Sequence, residues 1–285
     1  MPNFAIVDSH VHLYDIGRFR YGWLDSAPKL KRTSLLEDFD RARGRVEIDK
    51  IVFAEVAIDP GLHLEEAAFI QGLADKDARL SGMVAHAPLE KGAAVEADLL
   101  ALKKHRILCG IRRLIETERD PSICIEPRFL EAVKLLPKHG LTFDICVKHW
   151  ALTYALELAR RCPEVTFVLD HIGKPDIRHG LREPWRGQIR ELAALGNVVC
   201  KVSGVITEAD HARWSPEEIK PYIEHVIDAF GFERVMYGSD WTVSELTHPY
   251  PAFVALLDEM LEGASEAERR QLYRDTAIRT YRLDA

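Results

Sequence analysis

The sequence predicts an α/β fold, a (β/α)8 TIM barrel. Eight short, β-branched apolar runs recur along the chain, several continuous enough for parallel strands covered on both faces. Segments with helical periodicity lie between them. The first run leads into His10-Val11-His12-Leu13-Tyr14, not into the Gly-rich phosphate loop of an open doubly wound sheet. The 285 residues suit a barrel of about 250 residues with additions. No Pro/Gly/Ser-rich linker divides them, so one domain over 1–285 is expected.

The runs fall at 4–8, 50–56, 80–85, 109–114, 142–147, 165–170, 198–202 and 235–237. Residues 13–33 form a long aromatic-rich insertion after the first run, expected to shape one mouth of the barrel. The segment 62–77 gathers Leu64, Ala67, Ala68, Leu73 and Ala74 on one side. The segment 127–139 repeats Phe129, Leu130, Val133 and Leu136 at helical spacing, and 151–161 repeats Leu152, Ala155, Leu156 and Ala159. Ser215-Pro216-Glu217-Glu218 is a helix start, with a hydroxyl cap, proline in first position and acids in the first turn. A last helix is expected over 265–279.

Composition narrows the function classes. The 45 acidic and 38 basic side chains give a formal charge of −7, so phosphate backbones are not generally attracted. No basic, then long apolar, leader opens the sequence, and no run approaches a membrane span. The five cysteines, Cys109, Cys124, Cys146, Cys162 and Cys200, are odd in number, widely spaced and without a Cys-x-x-Cys pair. Reduced thiols and a cytoplasmic location are the expectation. A small-molecule substrate is expected, with no nucleic acid and no membrane partner; a homo-oligomer is left open.

Barrel enzymes carry their reacting groups at the carboxyl ends of the strands. Here those ends hold His10 and His12, His86, Arg112 and Arg113, Lys148 and His149, His171 with Lys174, Ser203 beyond Lys201, and Asp240. Ionisable groups repeated at one end of separate strands are hard to explain as packing, because unpaired buried charge is costly. His10 and His12, two residues apart, should share a face about 7 Å apart. That face is expected to be the lumen, with Asp8 on it and Val7 and Val11 opposite. Two imidazoles there can chelate a metal or polarise a carbonyl. Asp240 can bind a metal or take a proton from water, although strand-end aspartates also serve as caps. Of the adjacent arginines only one can face the lumen; Arg112 is expected there as a substrate clamp, and Arg113 in an ordinary ion pair. Lys174 and His149 are further substrate-binding candidates. Tyr14, Trp23 and Trp241 are candidates to line the pocket, although aromatics at such positions also serve packing. Gly-x-Ser-x-Gly, Gly-x-x-x-x-Gly-Lys, Gly-x-Gly-x-x-Gly and His-Glu-x-x-His motifs are absent.

Asp8-Ser9-His10-Val11-His12-Leu13-Tyr14, Phe19-Arg20-Tyr21-Gly22-Trp23, Gly110-Ile111-Arg112-Arg113, Asp170-His171-Ile172-Gly173-Lys174-Pro175 and Tyr237-Gly238-Ser239-Asp240-Trp241 together resemble the amidohydrolase superfamily. The closer resemblance is to its "amidohydrolase 2" branch of sugar-lactone and 2-pyrone-4,6-dicarboxylate-type lactonases. The resemblance implies a distorted barrel whose central constellation is His10, His12, His171 and Asp240, catalytic and metal-ligating. It implies one divalent ion, Zn²⁺-like, or none. Binuclear relatives carry a carboxylated lysine in strand four, where this chain has Arg112 and Arg113, so a binuclear site is not expected. The implied activity is hydrolysis of a sugar-acid lactone or a small carboxylated lactone. The alternative is a metal-dependent decarboxylase or hydratase of an aromatic or muconate-type acid. A non-catalytic binder fits the clustered ionisable groups poorly.

Overall fold

A computed structural model describes residues 2–283. Eight parallel strands follow one another around the sheet in chain order: β1 (Ile6–Val11), β2 (Ile48–Ala54), β3 (Leu80–His86), β4 (Leu108–Arg112), β5 (Thr142–Ile145), β6 (Phe167–Leu169), β7 (Val198–Val202) and β8 (Val235–Tyr237). The sheet closes into a barrel through a short seam. Val11 bridges Trp241, the His12 N–H donates to the Trp241 carbonyl (2.6 Å), and the Asp240 N–H donates to the His10 carbonyl (3.0 Å). The seam therefore runs through the predicted catalytic residues. Around the sheet lie α1 (Leu36–Arg43), α2 (His63–Ala74), α3 (Glu96–Leu102), α4 (Pro127–Val133), α5 (Leu152–Arg161), α6 (Trp185–Ala193), α7 (Pro216–Phe230), α8 (Tyr250–Met260), α9 (Glu266–Arg270) and α10 (Thr276–Tyr281).

Each expected strand forms, with ends shifted by up to three residues. The helix expected over 127–139 stops at Val133 and resumes as a 3-10 turn, Leu136–His139, because Pro137 has no N–H to continue the ladder. At α7, Pro216 takes the first position and the Glu218 carboxylate accepts from the Ser215 N–H (3.3 Å). The helix expected over 265–279 is α9 and α10 joined by a π-turn, Gln271–Asp275. All five cysteines are free and buried, and no described helix is long and apolar enough to cross a membrane.

One expectation about β1 is reversed. The pairing with β2 shifts register between Asp8 and Val11, a bulge-like irregularity that changes the alternation of faces. Val7 therefore lies in the inner cluster, while Asp8 points to the helical layer, where it accepts from the Tyr250 hydroxyl (2.9 Å) and the Ser239 N–H (2.8 Å). Burial pushes the Asp8 carboxyl up to about 6.

The inner cluster is an apolar floor. Val7, Val52, Val84, Cys109, Val168 and Met236 come from six strands. Ala277, Tyr281 and Leu283 join them, so the end of the described chain plugs the barrel rather than lying against its outside. The segment 13–33 folds as 3-10 turns, Gly22–Ser26 and Pro28–Leu30, tied back by pairing between Tyr14 and Ser34.

Candidate active site

Above the floor lies a fully buried charge network. Lys201 on β7 pairs with Asp144 (2.6 Å) and Asp170 (3.1 Å), and the Tyr281 hydroxyl donates to Asp144 (2.7 Å). Burial pushes the Asp144 carboxyl up. Asp170 is held well below the usual range against its burial, chiefly by Lys201 and His10. At the end of β4, the Arg112 guanidinium donates to Glu55 (2.9 Å), Asp170 (3.1 Å), the His10 Nε2 (3.1 Å) and the Glu55 carbonyl. Those four partners leave one of its five N–H groups for a ligand. Its neighbour Arg113 pairs with Glu90 (3.1 Å) and Glu118 (2.5 Å).

Three side chains converge above this network. The Asp240 carboxylate lies 3.3 Å from His12 Nε2 and 4.0 Å from His171 Nε2. Burial would raise its pKa, but the three neighbouring imidazoles, His171 foremost, hold it well below the carboxylate range. His171 Nδ1 meets the Ser203 hydroxyl (2.9 Å), and burial lowers the ring to about 4, so it is neutral at pH 7. Asp240 and His171 occupy left-handed backbone, with φ of 56° and 54°. Strained residues of this kind cluster where function over-determines geometry. Gly204, at φ 56°, completes the fit: a Cβ there would lie 2.6 Å from His171 Nδ1 and 3.0 Å from the Asp240 carboxylate.

The donor set fits a metal ion. His12 Nδ1 faces the Ala54 carbonyl at 3.0 Å, an acceptor only, so it carries the hydrogen and Nε2 presents a lone pair. That lone pair and an Asp240 carboxylate oxygen face each other at 3.3 Å, and only a cation, a shared proton or a metal, reconciles them. Atoms of His10, His12 and Asp240 all lie within 4.8 Å of one another. His10 fits less well, because its Nε2 already accepts from Arg112.

A cavity of about 220 Å³ opens over this group. Of the residues singled out from the sequence, His12, His171, Asp240, Arg112, Lys174 and Trp23 line it. His10 does not. It is wholly buried beneath, between Lys201 (3.3 Å) and Arg112, and burial keeps it neutral. Tyr14 and Trp241 belong to the core: the Tyr14 hydroxyl donates to the Leu30 carbonyl (2.9 Å), and the Trp241 N–H donates to Glu245 (2.8 Å). His149 bonds the Lys174 carbonyl (3.2 Å) behind the wall. His86 lies 5.8 Å from the His63 ring on an adjoining cavity. Sequence reasoning assigned no role to Glu55, Asp144, Lys201, Glu116 or Gly204. Glu55, Asp144 and Lys201, ionisable residues inside apolar strand runs, are the visible signals.

Comparisons with known proteins identify the family. The Amidohydrolase family model matches residues 7–283. The chain is 31% identical to an L-fucono-1,5-lactonase of Burkholderia multivorans, over 97% of this chain and 96% of that one. A crystal structure of an amidohydrolase from Burkholderia multivorans with bound Zn superposes with a TM-score of 0.87 at 30% identity, covering 98% of this chain and 100% of that one. A 2,6-dihydroxybenzoate decarboxylase from Rhizobium shares the fold alone, with a TM-score of 0.67 at 13% identity over 99% of each chain. Barrel order, strand-end constellation and family model converge: this chain belongs to the amidohydrolase family.

Proposed function

We propose that this protein hydrolyses the ring ester of a lactone, of the sugar-acid or small carboxylated class. The observation that carries the reading is the Asp240 carboxylate on a cavity wall, within 4.0 Å of three imidazoles at the carboxyl ends of barrel strands. The likeness to an L-fucono-1,5-lactonase supports the choice of ester.

In this reading Asp240 takes a proton from water as its oxygen attacks the lactone carbonyl carbon. The proton then lies between Asp240 and the His12 Nε2 lone pair. When Ser203 donates into His171 Nδ1, the ring presents Nε2–H to the carbonyl oxygen as charge develops there. The ring C–O bond breaks, and Asp240 returns the proton to the leaving oxygen, giving a hydroxy acid. His10 acts from below by fixing Arg112 and Asp240. In place of that shared proton, a divalent ion held by His12 and Asp240 would supply a Lewis acid; imidazole and carboxylate donors suit Zn²⁺.

The test is turnover of a panel of 1,4- and 1,5-lactones of sugar acids and dicarboxylates. Asp240→Asn should lose at least about 10²-fold in kcat, within the range of general-base catalysis. Normal turnover by that variant would sink the mechanism. Metal content by mass spectrometry, on protein without a histidine tag, tests the ion.

A further inference from the structure

The wall of the same cavity carries a second feature, and the inference from it rests on the lactonase reading. Lys174 and Glu116 both line the cavity, and their charged ends meet at 2.6 Å. Behind them, Lys148 pairs with Glu208 (3.3 Å) and lies 3.9 Å from Glu116, and Glu208 lies 4.0 Å from Lys174. The cluster is two cations against two anions. Burial alone would raise Glu116, but Lys174 and Lys148 pull it down to about 2, so it stays ionised.

The other cation lining the cavity, Arg112, is held by Glu55 and Asp170. Every cation among the described residues lining the cavity is therefore already neutralised by a carboxylate. Among the protein's own side chains, a ligand carboxylate entering there would meet Asp240 and Glu116 with no unshared positive charge to offset its desolvation, which is costly. A hydroxylated ring meets no such obstacle. Glu116 accepts from one hydroxyl, and the Lys174 ammonium donates to the next. Trp23, fixed by its N–H to the Val56 carbonyl (2.8 Å), adds an apolar surface for the ring carbons.

We propose that the Lys174–Glu116 pair is the specificity determinant of this cavity, admitting uncharged, hydroxylated lactones and turning away carboxylated ones. The predicted bias reverses when the pair is unbalanced. Glu116→Gln leaves an uncompensated ammonium at the wall; Lys174→Met leaves an uncompensated carboxylate.

The experiment compares kcat/KM for D-glucono-1,5-lactone and for the γ-lactone of 2-hydroxyglutarate, a simple carboxylated lactone. The wild type should favour the uncharged lactone by about 10²-fold or more, equivalent to about 2.7 kcal/mol. Glu116→Gln should shift the ratio at least about tenfold toward the carboxylated lactone, and Lys174→Met should shift it further away. A merely structural pair would move both ratios the same way or neither. Either result, or a wild type indifferent to the carboxylate, overturns the inference. Calorimetric binding of the same two lactones is measured alongside, with each change placed in an Asp240→Asn background. If no lactone is turned over, the lactonase reading fails, and the binding ratios, read by the same criteria, still decide the role of the pair.

Discussion

Gly204→Ala is the sharpest probe of how tightly the site is built. The new Cβ would start 2.6 Å from His171 Nδ1, where ordinary contact needs at least 3.4 Å. Something must therefore move by about 0.8 Å, and the backbone at φ 56° resists moving the other way. The left-handed conformation costs an alanine about 1–2 kcal/mol, which lowers Tm by roughly 2–8 °C for a chain of this size. The catalytic cost is larger. Misplacing a reacting group by about 1 Å removes on the order of 10²-fold in rate. Steady-state kinetics on the best lactone of the panel should therefore show kcat down by on the order of 10²-fold, in a protein that remains folded by circular dichroism. A variant within twofold of wild-type kcat would refute the reasoning, because His171 and Asp240 would then tolerate displacement.

Lys201→Met removes the cation between two fully buried carboxylates, Asp144 and Asp170, and should cost about 3–5 kcal/mol, read as a large drop in Tm. A drop under about 2 °C would show that Tyr281 and Arg112 alone stabilise those carboxylates. Glu116 contributes to acid stability with a definite sign. Its folded pKa, about 2, lies below its unfolded value of 4.5, so the stabilisation is present above pH 4.5 and is lost as pH falls toward 2. Denaturant unfolding at stepped pH should therefore show a flatter acid limb in Glu116→Gln, by on the order of 3 kcal/mol; identical limbs would contradict the ionised pair.

The sequence by itself determined the barrel and its strand order, because apolar periodicity is a local property and each βα unit carries its own. It also placed His12, His171 and Asp240 at strand ends, where the fold obliges them to meet. It fell short wherever the answer depended on contacts between distant segments. The irregularity in β1 put Val7 inside and Asp8 outside, since a shift between paired strands is invisible in either strand alone. His10 went beneath the cavity rather than onto its wall, because Arg112 and Lys201, about 100 and 190 residues away, enclose it. The basic residues at the strand ends left a sugar-acid lactone and a carboxylated lactone equally open. Only the tertiary structure brought Glu55, Asp170 and Glu116 against those cations, and over a few ångströms that pairing, not the number of charges, sets the field a substrate meets.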